Sequence, residues 1–422
     1  MQEDFLHYIW KHKKFDSLNL KSVDGELITI TSFGQHNLNS GPDFFNAQLH
    51  IDNQLWAGNV EIHIKSSDWF AHNHEIDKAY DNVILHVVWE HDTEVFRKDN
   101  TQIPTLELKP LVNQDTLQNY QKLFSKSQKW INCENDFAEV DGFILHSWLE
   151  RLYFERLERK SIEIEFLLNK SSNNWEAVLF QLLAKNFGLK INGEAFLSLA
   201  NSFDFSVIRK AQSNLLSLEA LFFGQFGLLE NDIQEPYFLE LKKEYSFLSN
   251  KFKLSQQGVL PLQFFRLRPP NFPTIRLSQL ANLFHVQNNL FSQIIDTHDL
   301  EALYEIFSIS TSQFWETHYT FGKASKKSIK KTSKAFIDLL LINTIIPLKF
   351  SYAKQQGKDI NENLVMIMQQ LKSEKNSIIE RFNSLKNVST SALQSQALLQ
   401  LKNEYCDKNK CLQCAVGNAL IS

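Results

Sequence analysis

The sequence contains little methionine, proline and glycine, and it has no large excess of charge of either sign. Its 422 residues include 3 Met, 9 Pro and 13 Gly, but 34 Phe. The scarcity of Gly and Pro argues against a disordered or low-complexity chain, and an aromatic content of 12% indicates rigidly packed hydrophobic cores. Because a chain of this length exceeds one ordinary core, we expect two or three domains.

The charge distribution limits the partners that the chain can bind. The formal net charge is −4, so a nucleic acid would have to be held by a local basic patch. The N-terminal sequence MQEDFLHYIWKHKK lacks the apolar core of a secretory signal. The most apolar stretch, residues 335–350, is interrupted by Asp338, Asn343, Pro347 and Lys349, and we interpret it as a buried helix that is too short to span a bilayer. These features predict a cytoplasmic protein without a membrane partner.

The first 110 residues have the alternation of apolar and polar side chains that is typical of a sheet. Strand patterns occur at 26–32, 44–51, 55–65, 82–90 and 104–108, with a hairpin turn at 52–54 and helical patterns at 3–13 and 75–81. The run NVILHVVWE is apolar enough to be a central strand. This order predicts a mixed α/β domain over residues 1–110.

The remainder, residues 111–422, is predicted to be a mainly α-helical region that ends in a cysteine cluster, so the fold class is α+β. Apolar residues recur at helical spacing at 112–130 and through 141–400. The exception is FFRLRPPNFPTIR (264–276), whose prolines predict a rigid extended loop.

Two motifs near the N-terminus place acidic groups on neighbouring strands. A GPDF motif contains Asp43 before one strand, and the motif EIHIK ends the next strand. Because successive side chains of a strand alternate between faces, Glu61, His63 and Lys65 point to the same side, away from the core. Two converging carboxylates suit Mg²⁺ or Mn²⁺, and such an ion would polarise a scissile phosphate and activate a water. His63 or Lys65 would orient that water or stabilise the developing charge.

Further histidines follow the second of these strands. His72 and His74 lie in a predicted loop, from which they would bind phosphate, add a metal ligand or act as a general base. The alternative is that they cap the short helix that begins near residue 75. His86 lies within the apolar strand, and we interpret it as a hydrogen-bonded histidine of the sheet, although the alternation also allows it to face the site.

The spacing of these residues resembles that of the PD-(D/E)XK nuclease superfamily, whose motif is a Pro-Asp pair, a hairpin, and then an acidic residue, any residue and lysine. Here Pro42 and Asp43 form the pair, and Glu61 is the acidic residue. His63 occupies the usual lysine position, and Lys65 is its substitute on the same face. The resemblance implies a restriction-endonuclease-like α/β domain over residues 1–110 that binds its catalytic metal through the two carboxylates. Glu3 corresponds to a carboxylate that many members carry on the first helix.

A second resemblance covers the whole chain. The sequence is similar to an uncharacterised bacterial family that is catalogued only as a domain of unknown function. The matching segments are GPDF (41–44), GNVEIHIKSSDW (58–69), HNH (72–74), YDNVILHVV (80–88), RLRPPNFPTIR (266–276) and the closing CDKNKCLQC. This resemblance implies no activity, so the functional prediction depends on the site.

The four cysteines of the chain suggest a second metal centre. They are Cys133, Cys406, Cys411 and Cys414, of which the last three have the spacing C-x4-C-x2-C. A cytoplasmic protein is not expected to use them as disulfides, whereas four thiolates suit a structural [4Fe-4S] cluster or Zn²⁺. Free buried thiols are the alternative. The spacing resembles plant-type ferredoxin ligation with the lone cysteine upstream, and it is loosely similar to that of iron–sulfur nucleases of the helicase–nuclease repair type.

A basic segment is the strongest local candidate for nucleic-acid binding. Six lysines recur at helical spacing, which predicts one helix with a basic face; they are Lys323, Lys326, Lys327, Lys330, Lys331 and Lys334. Six ammoniums without an interleaved acid repel one another, so a polyanion is a natural partner, and a solvated helix face is the alternative. Arg266, Arg268 and Arg276, around the proline-rich loop, would add phosphate contacts or brace helix ends.

Together these patterns predict a metal-dependent nuclease, with DNA favoured over RNA as the partner and with a role in DNA repair or processing. The alternative is a non-catalytic nucleic-acid-binding or scaffold protein with a degenerate nuclease fold. A hydrolase of another substrate class is a third hypothesis.

Overall fold

Alternating side chains in the first third of the chain form one mixed sheet in the computed structural model, which describes residues 1–125 and 129–422. Seven strands of the described residues belong to this sheet: β1 Leu20–Lys21, β2 Leu27–Ser32, β3 Gln35–His36, β4 Phe44–Ile51, β5 Gln54–Lys65, β6 Val83–Glu90 and β7 Thr105–Glu107. The order is β1-β2-β4-β5-β6-β7, and β3 pairs with the start of β4. Strands up to β5 pair antiparallel, whereas β5–β6 and β6–β7 are parallel. The predicted strands and the hairpin turn are confirmed, whereas β6 is an interior strand next to the edge strand β7 and not the central one.

The parallel pairing of β5 with β6 places Glu61 opposite His86. The two strands approach closely at Gly58, where a Cβ atom would lie 2.5 Å from the carbonyl oxygen of Asn82 and 2.5 Å from a methyl carbon of Ile84. A side chain at this position would therefore push β6 away from β5. This close approach lies three residues before Glu61 on β5.

Helix α1, Glu3–Lys11, contacts β5 and buries Phe5, Leu6 and Trp10. Shorter helical elements follow in the same part of the chain: α2 Asp68–Ala71, a 3₁₀ turn Lys78–Tyr80, α3 Gln114–Leu123 and a 3₁₀ turn Phe137–Glu139. The short helix predicted at 75–81 is thus confirmed as a 3₁₀ turn. Of the helix predicted over 112–130, residues 126–128 lie outside the described residues.

The rest of the chain is mainly helical, so the α+β fold class is confirmed at this level. The helices are α4 Gly142–Lys170, α5 Trp175–Phe187, α6 Leu189–Asn201, α7 Ser206–Ala211, α8 Leu215–Gln225, α9 Pro236–Phe252, α10 Pro273–Val286, α11 Leu290–Asp296, α12 Leu300–Phe307, α13 Lys334–Leu340, α14 Ile346–Gln355, α15 Asn361–Gln370, α16 Ser377–Leu385, α17 Ala392–Gln400 and α18 Ala415–Ile421. Two short strands, β8 His318–Thr320 and β9 Lys323–Ala324, form a hairpin that the sequence did not predict. Shorter 3₁₀ and π segments connect several helices: Pro269–Asn271, Gln313–Glu316, Leu341–Ile345, Leu401–Cys406 and Cys411–Gln413.

The residues divide into two compact units. The first comprises Met1–Leu149, Ser384–Lys386 and Leu401–Ser422, and the second comprises Glu150–Asn383 and Asn387–Gln400. The predicted boundary at residue 110 places the C-terminal cysteines with the helical region, whereas in these units they belong with the sheet. The reason is local packing, since α18 contacts α3 within the first unit.

The continuous helix Lys334–Gln355 is long and apolar enough to cross a membrane by length and composition. The sequence interpretation of residues 335–350 as too short to span a bilayer is therefore wrong on length, because α14 continues to Gln355. However, 67% of its most apolar window is buried. This burial is compatible with the predicted core helix of a soluble protein.

Two sequence predictions in the second unit are wrong in part. The segment from Lys323 to Lys334 is not one helix: it begins as strand β9, continues without regular structure, and becomes helical only at Lys334. Like charges four residues apart disfavour a helix, and Thr332 is instead tied to Ile309 by its backbone N–H at 2.8 Å. The extended loop 264–276 ends early, because Pro273 occupies the first turn of α10, where its missing N–H is not needed.

Candidate metal centre

The carboxylates of Asp43 and Glu61, here called the acidic pair, are held side by side where β4 begins. Oδ2 of Asp43 accepts the backbone N–H of Ile62 at 2.9 Å, and the backbone N–H of Asp43 donates to Oε2 of Glu61 at 3.1 Å. Each acid thus bonds to the backbone of the other strand. These reciprocal bonds fix both side chains, and they explain why the GPDF motif and the EIHIK motif meet.

Three histidines, His63, His72 and His74, are called the histidine cluster; His63 and His74 lie beside the other oxygen of Glu61, and His72 lies against His63. Oε1 of Glu61 is 3.3 Å from Nε2 of His74 and 3.5 Å from Nε2 of His63. Nε2 of His63 is 3.1 Å from Nδ1 of His72. One ligand atom from each histidine lies within 4.8 Å of the other two. A tetrahedral ion with N and O ligands at 2.0–2.1 Å needs ligand atoms about 3.3 Å apart, so these residues fit a divalent transition metal.

A tight turn brings the cluster together. His63 projects from β5, His72 caps the C-terminus of α2, and Asn73 adopts a left-handed conformation with φ 59°. Asparagine tolerates this conformation better than most residues. The turn reverses the chain, so the backbone N–H of His74 bonds to the carbonyl of Trp69 at 3.1 Å. His72 and His74 therefore face the same point despite their spacing of two.

His86 supports the cluster from the neighbouring strand. Its Nε2 lies 2.8 Å from Nδ1 of His63, and the side chain is fully buried. If Nε2 of His63 binds a metal, its Nδ1–H donates a hydrogen bond to Nε2 of His86. This bond fixes the orientation of the His63 ring. The Nδ1 atom of His86 is buried without a hydrogen-bond partner among the described residues. The sequence interpretation of His86 as a satisfied sheet histidine is therefore incomplete.

Aromatic side chains form the wall behind His74. Tyr80 stacks on the His74 ring with centroids 3.7 Å apart, and buried Trp69 meets His74 edge-on at 5.4 Å. Trp69 also contacts the His86 ring at 5.5 Å and donates its indole N–H to the carbonyl of Phe96 at 3.2 Å. The imidazoles are thus held by packing on one side and by hydrogen bonds on the other.

His7 is a site residue that the sequence analysis missed. Its Nε2 lies 3.2 Å from Oδ2 of Asp43, and its ring packs edge-on against His36 and Phe44. The signal was present, because His7 follows Glu3 by four residues on α1 and so shares its face. Glu3 lies close enough to Asp43 for the two charges to interact.

Burial and crowding of like groups perturb the protonation of this site. Burial, together with the nearby Asp43 charge, raises the pKa of Glu61 well above its ordinary value. Burial, with the nearby His74 and His72, lowers the pKa of His63 to about 3, so its ring is neutral and has a free lone pair. Burial lowers the pKa of His7, but the Asp43 carboxylate outweighs it and the net pKa is raised. A divalent cation would relieve the repulsion within the acidic pair.

The predicted basic and catalytic side chains do not all reach this centre. Lys65 is exposed, and in the described residues its ammonium makes no hydrogen bond or ion pair, whereas its backbone N–H donates to Asp68 at 2.9 Å. In the second unit, Arg266 and Arg268 are exposed. Arg276 is buried, lies over the Phe336 ring and bonds to Asn271 at 2.7 Å, so it braces its surroundings.

The six lysines of the segment 323–334 separate into two groups. Lys330 is buried, and its ammonium donates to the carbonyls of Trp315 and Glu316. The other five are exposed: Lys323, Lys326, Lys327, Lys331 and Lys334. Only these exposed ammoniums are placed to meet a phosphate backbone.

The four cysteines converge on one pocket of the first unit. Cys133, Cys406, Cys411 and Cys414 all line it, together with apolar side chains such as Ile131 and Val416. The sequence linked the last three cysteines by their spacing, and the structure adds Cys133.

Comparison with known proteins gives a family and no activity. No curated protein and no solved structure matches the chain. One family model, described as "Protein of unknown function (DUF2851)", matches residues 3–377. That range contains the acidic pair, the histidine cluster and Cys133, and it ends before Cys406. The chain therefore belongs to the DUF2851 family of proteins of unknown function.

Proposed function

We propose that the protein is a cytoplasmic, metal-dependent nuclease that hydrolyses phosphodiester bonds, with DNA as the favoured substrate. The observation that carries the proposal is the junction of the acidic pair with the histidine cluster through the two oxygens of Glu61. Five side chains with metal-binding atoms meet beside the interior strand β5. Such a collection of mutually repelling acids and neutral imidazoles is costly to bury unless a cation joins it.

The order of elements supports a restriction-endonuclease-like fold for this part of the chain. Helix α1 precedes the antiparallel strands β2, β4 and β5, and a helical connection then leads to β6, which is parallel to β5. Asp43 lies before the second of these main strands and Glu61 on the third. These are the positions that the PD-(D/E)XK resemblance assigns to the metal-binding carboxylates.

The donor set favours a transition metal over Mg²⁺. Imidazole nitrogens suit Zn²⁺ and other first-row transition metals, whereas Mg²⁺ prefers carboxylates and water. Mn²⁺ accepts both kinds of ligand, so the acidic pair and the histidine cluster together suit Mn²⁺ or Zn²⁺. When bound, the ion would polarise the scissile phosphate and lower the pKa of a bound water.

The protein side chains have separate roles in this scheme. His63, His72 and His74 hold the ion, and Oε1 of Glu61, 3.3 Å from His74, either binds the ion or accepts the proton of the attacking water. Asp43 adds negative charge beside Glu61, and His7 positions Asp43 through their 3.2 Å contact. His63 stands where the motif usually has lysine, so metal binding replaces the role of that lysine.

One observation favours a second candidate function, a non-catalytic protein with a structural metal. If Glu61 binds the ion together with all three histidines, the four ligands complete a tetrahedron and leave no open position for water. The centre would then stabilise the fold of a nucleic-acid-binding protein. The two candidates differ in whether the bound metal supports hydrolysis.

The deciding experiment measures metal binding and cleavage on the same preparations. Metal-free protein is titrated with Mn²⁺, Zn²⁺ and Mg²⁺, and each form is incubated with single- and double-stranded DNA and RNA. We expect tight Mn²⁺ or Zn²⁺ binding and cleavage that Glu61→Gln abolishes and His63→Ala removes together with the metal. His50→Gln on β4 is the matched control, because this histidine lies outside the site.

Each outcome assigns the centre. Metal binding without cleavage of any substrate supports the structural candidate and rejects the nuclease. Equal cleavage by wild type and Glu61→Gln would place the activity elsewhere or in a contaminant. Absence of metal binding would reject both candidates.

A further inference from the structure

The four cysteines lie in segments that are far apart in sequence but packed together in the first unit. Cys133 lies in a turn closed by the bond from the N–H of Phe137 to its carbonyl at 2.8 Å. Cys406 ends the π segment Leu401–Cys406, and Cys411 opens the 3₁₀ turn Cys411–Gln413. Cys414 directly precedes α18. Each cysteine therefore comes from a separate, locally ordered backbone element.

The thiols face one another inside an apolar pocket. All four line the same small pocket, and apolar neighbours such as Leu123, Phe137 and Leu401 enclose it. Cys133 and Cys414 are buried, and the remaining two are partly exposed. Burial, together with the neighbouring Cys411, raises the pKa of Cys414 to about 11. Four free thiols sharing one apolar pocket are not needed for packing, since apolar residues of similar size would fill it equally well.

The backbone around the pocket is held in place by close contacts. The side-chain amide of Asn132 donates to Sγ of Cys411 at 3.3 Å and also to Oδ1 of Asn409 at 3.3 Å. This contact ties the Cys133 turn to the C-terminal segment and gives one sulfur a hydrogen-bond donor. Gly417 is packed so tightly that a Cβ atom would lie 2.1 Å from the carbonyl oxygen of Cys411. The sulfurs are therefore presented by a rigid frame.

The spacing of the sulfurs distinguishes between possible occupants. A Zn²⁺ ion with four thiolates at 2.3 Å needs sulfurs about 3.8 Å apart. Among the described residues, the group whose ligand atoms all lie within 4.8 Å of one another is the histidine cluster, and no three of the four sulfurs form such a group. An iron–sulfur cluster binds each thiolate through a different iron, so it requires a wider arrangement of sulfurs.

We infer that Cys133, Cys406, Cys411 and Cys414 bind a [4Fe-4S] cluster that links the C-terminal segment to the sheet-containing unit. Its role is structural, because it joins Cys133 to a segment that begins more than half the chain later. Cross-links that close such long loops are expected to reduce the conformational entropy of the unfolded chain the most. This inference does not depend on the nuclease proposal, because it concerns a separate set of ligands in the same unit.

The test uses the full-length protein purified without oxygen. We expect about four iron atoms and about four acid-labile sulfides per chain, together with broad visible absorption. Protein that contains neither iron nor sulfide, even after anaerobic reconstitution with ferrous iron and sulfide, would overturn the inference. So would stoichiometric zinc without iron, because it would assign the thiolates to a zinc site.

Variants identify the ligands and separate this centre from the histidine cluster. Cys133→Ser and Cys411→Ser should each lose most of the iron and sulfide, whereas Glu61→Gln should keep both. Full iron and sulfide content in Cys133→Ser would overturn the four-cysteine assignment. If a cysteine variant does not fold, the iron and sulfide content of the wild type still decides whether a cluster is present.

Discussion

Nδ1 of His63 lies 2.8 Å from Nε2 of His86, on the neighbouring parallel strand. The His86 ring is buried behind His63, and the opposite nitrogen of His63, Nε2, faces His72 and Glu61. Hydrogen bonds of this kind fix the tautomer and the orientation of a metal-binding histidine. His86 is therefore expected to affect metal binding without being a ligand.

Replacement of His86 by Phe should weaken Mn²⁺ or Zn²⁺ binding by about 10- to 100-fold, because His63 loses the partner that orients its ring. His86→Gln can keep a hydrogen bond to His63 and should retain more of the affinity. Competition with a chelator of known affinity measures both effects, and His50→Gln is the control for loss of a histidine from the sheet. Wild-type affinity in His86→Phe would show that the contact does not orient a ligand.

Replacement of Glu61 by Gln should stabilise the metal-free protein but weaken the stabilisation that metal provides. Burial and the neighbouring Asp43 raise the pKa of Glu61, so at neutral pH the folded protein must either protonate this carboxyl or bury its charge. Glutamine avoids this cost, which is on the order of 1–3 kcal/mol. A ligand that binds only the folded state stabilises it by an amount that grows with the logarithm of the affinity, and wild type should gain more from Mn²⁺ than the variant. Thermal unfolding with chelator measures the stability of the metal-free protein, and unfolding with Mn²⁺ measures the stabilisation that the metal adds. A variant less stable than wild type in chelator would contradict the expected cost of burying this carboxyl.

Local periodicity predicted the acidic pair because its determinants lie within single strands. The alternation along β5 fixed the side of Glu61 and His63, and the short hairpin placed Asp43 beside them. His86 was interpreted less well because its role depends on the register of two parallel strands, which the sequence does not specify locally. Its alignment with Glu61 follows from the crossover between β5 and β6.

The prediction of one helix over the lysine segment was wrong because tertiary contacts override the local spacing of its lysines. Lys330 lies against the Tyr319 ring and donates to the carbonyls of Trp315 and Glu316. These bonds hold the chain extended and bury one of the six ammoniums. A charge pattern alone does not reveal which lysine has such a partner.

A buried carboxyl in the second unit should make stability depend on pH. Burial raises the pKa of Glu219 to about 7, and the Tyr237 hydroxyl donates to this carboxyl. Because the folded-state pKa lies above the ordinary value, this group stabilises the fold fully at low pH, and its contribution is lost as pH rises from about 4.5 through about 7. Over that interval the loss amounts to at most about 3 kcal/mol.

Glu219→Gln should remove this dependence, so its stability relative to wild type should rise between pH 5 and pH 7.5 and then remain level. Thermal unfolding of both proteins at several pH values measures the difference, and Glu240→Gln, an exposed acid on the same helix as Tyr237, is the control. A constant difference between wild type and Glu219→Gln at all these pH values would mean that Glu219 titrates at its ordinary pKa.

Phosphate binding by the segment 323–334 can be tested by comparing variants of its exposed lysines with a variant of its buried lysine, Lys330. If Lys327 and Lys331 contact a DNA backbone, each neutralised phosphate releases counterions, and the slope of log K against log salt is about −0.9 per contact. Replacing both by Gln should flatten the slope by one to two units, roughly the number of contacts removed. Sequence preference should stay the same, because phosphate contacts position the nucleic acid without specifying it.

Lys330→Met is the matched control for this prediction. The buried ammonium cannot reach phosphate, so its loss should leave the salt slope unchanged. It leaves the carbonyl of Trp315 without the Lys330 donor, whereas the carbonyl of Glu316 keeps the backbone N–H of Ser328, and it should reduce stability by about 1–3 kcal/mol. The double variant should show the opposite pattern, since exposed lysines contribute little to stability. If the salt slope is the same in wild type and in Lys327→Gln/Lys331→Gln, the segment is a solvated surface, and DNA must be held by other basic residues.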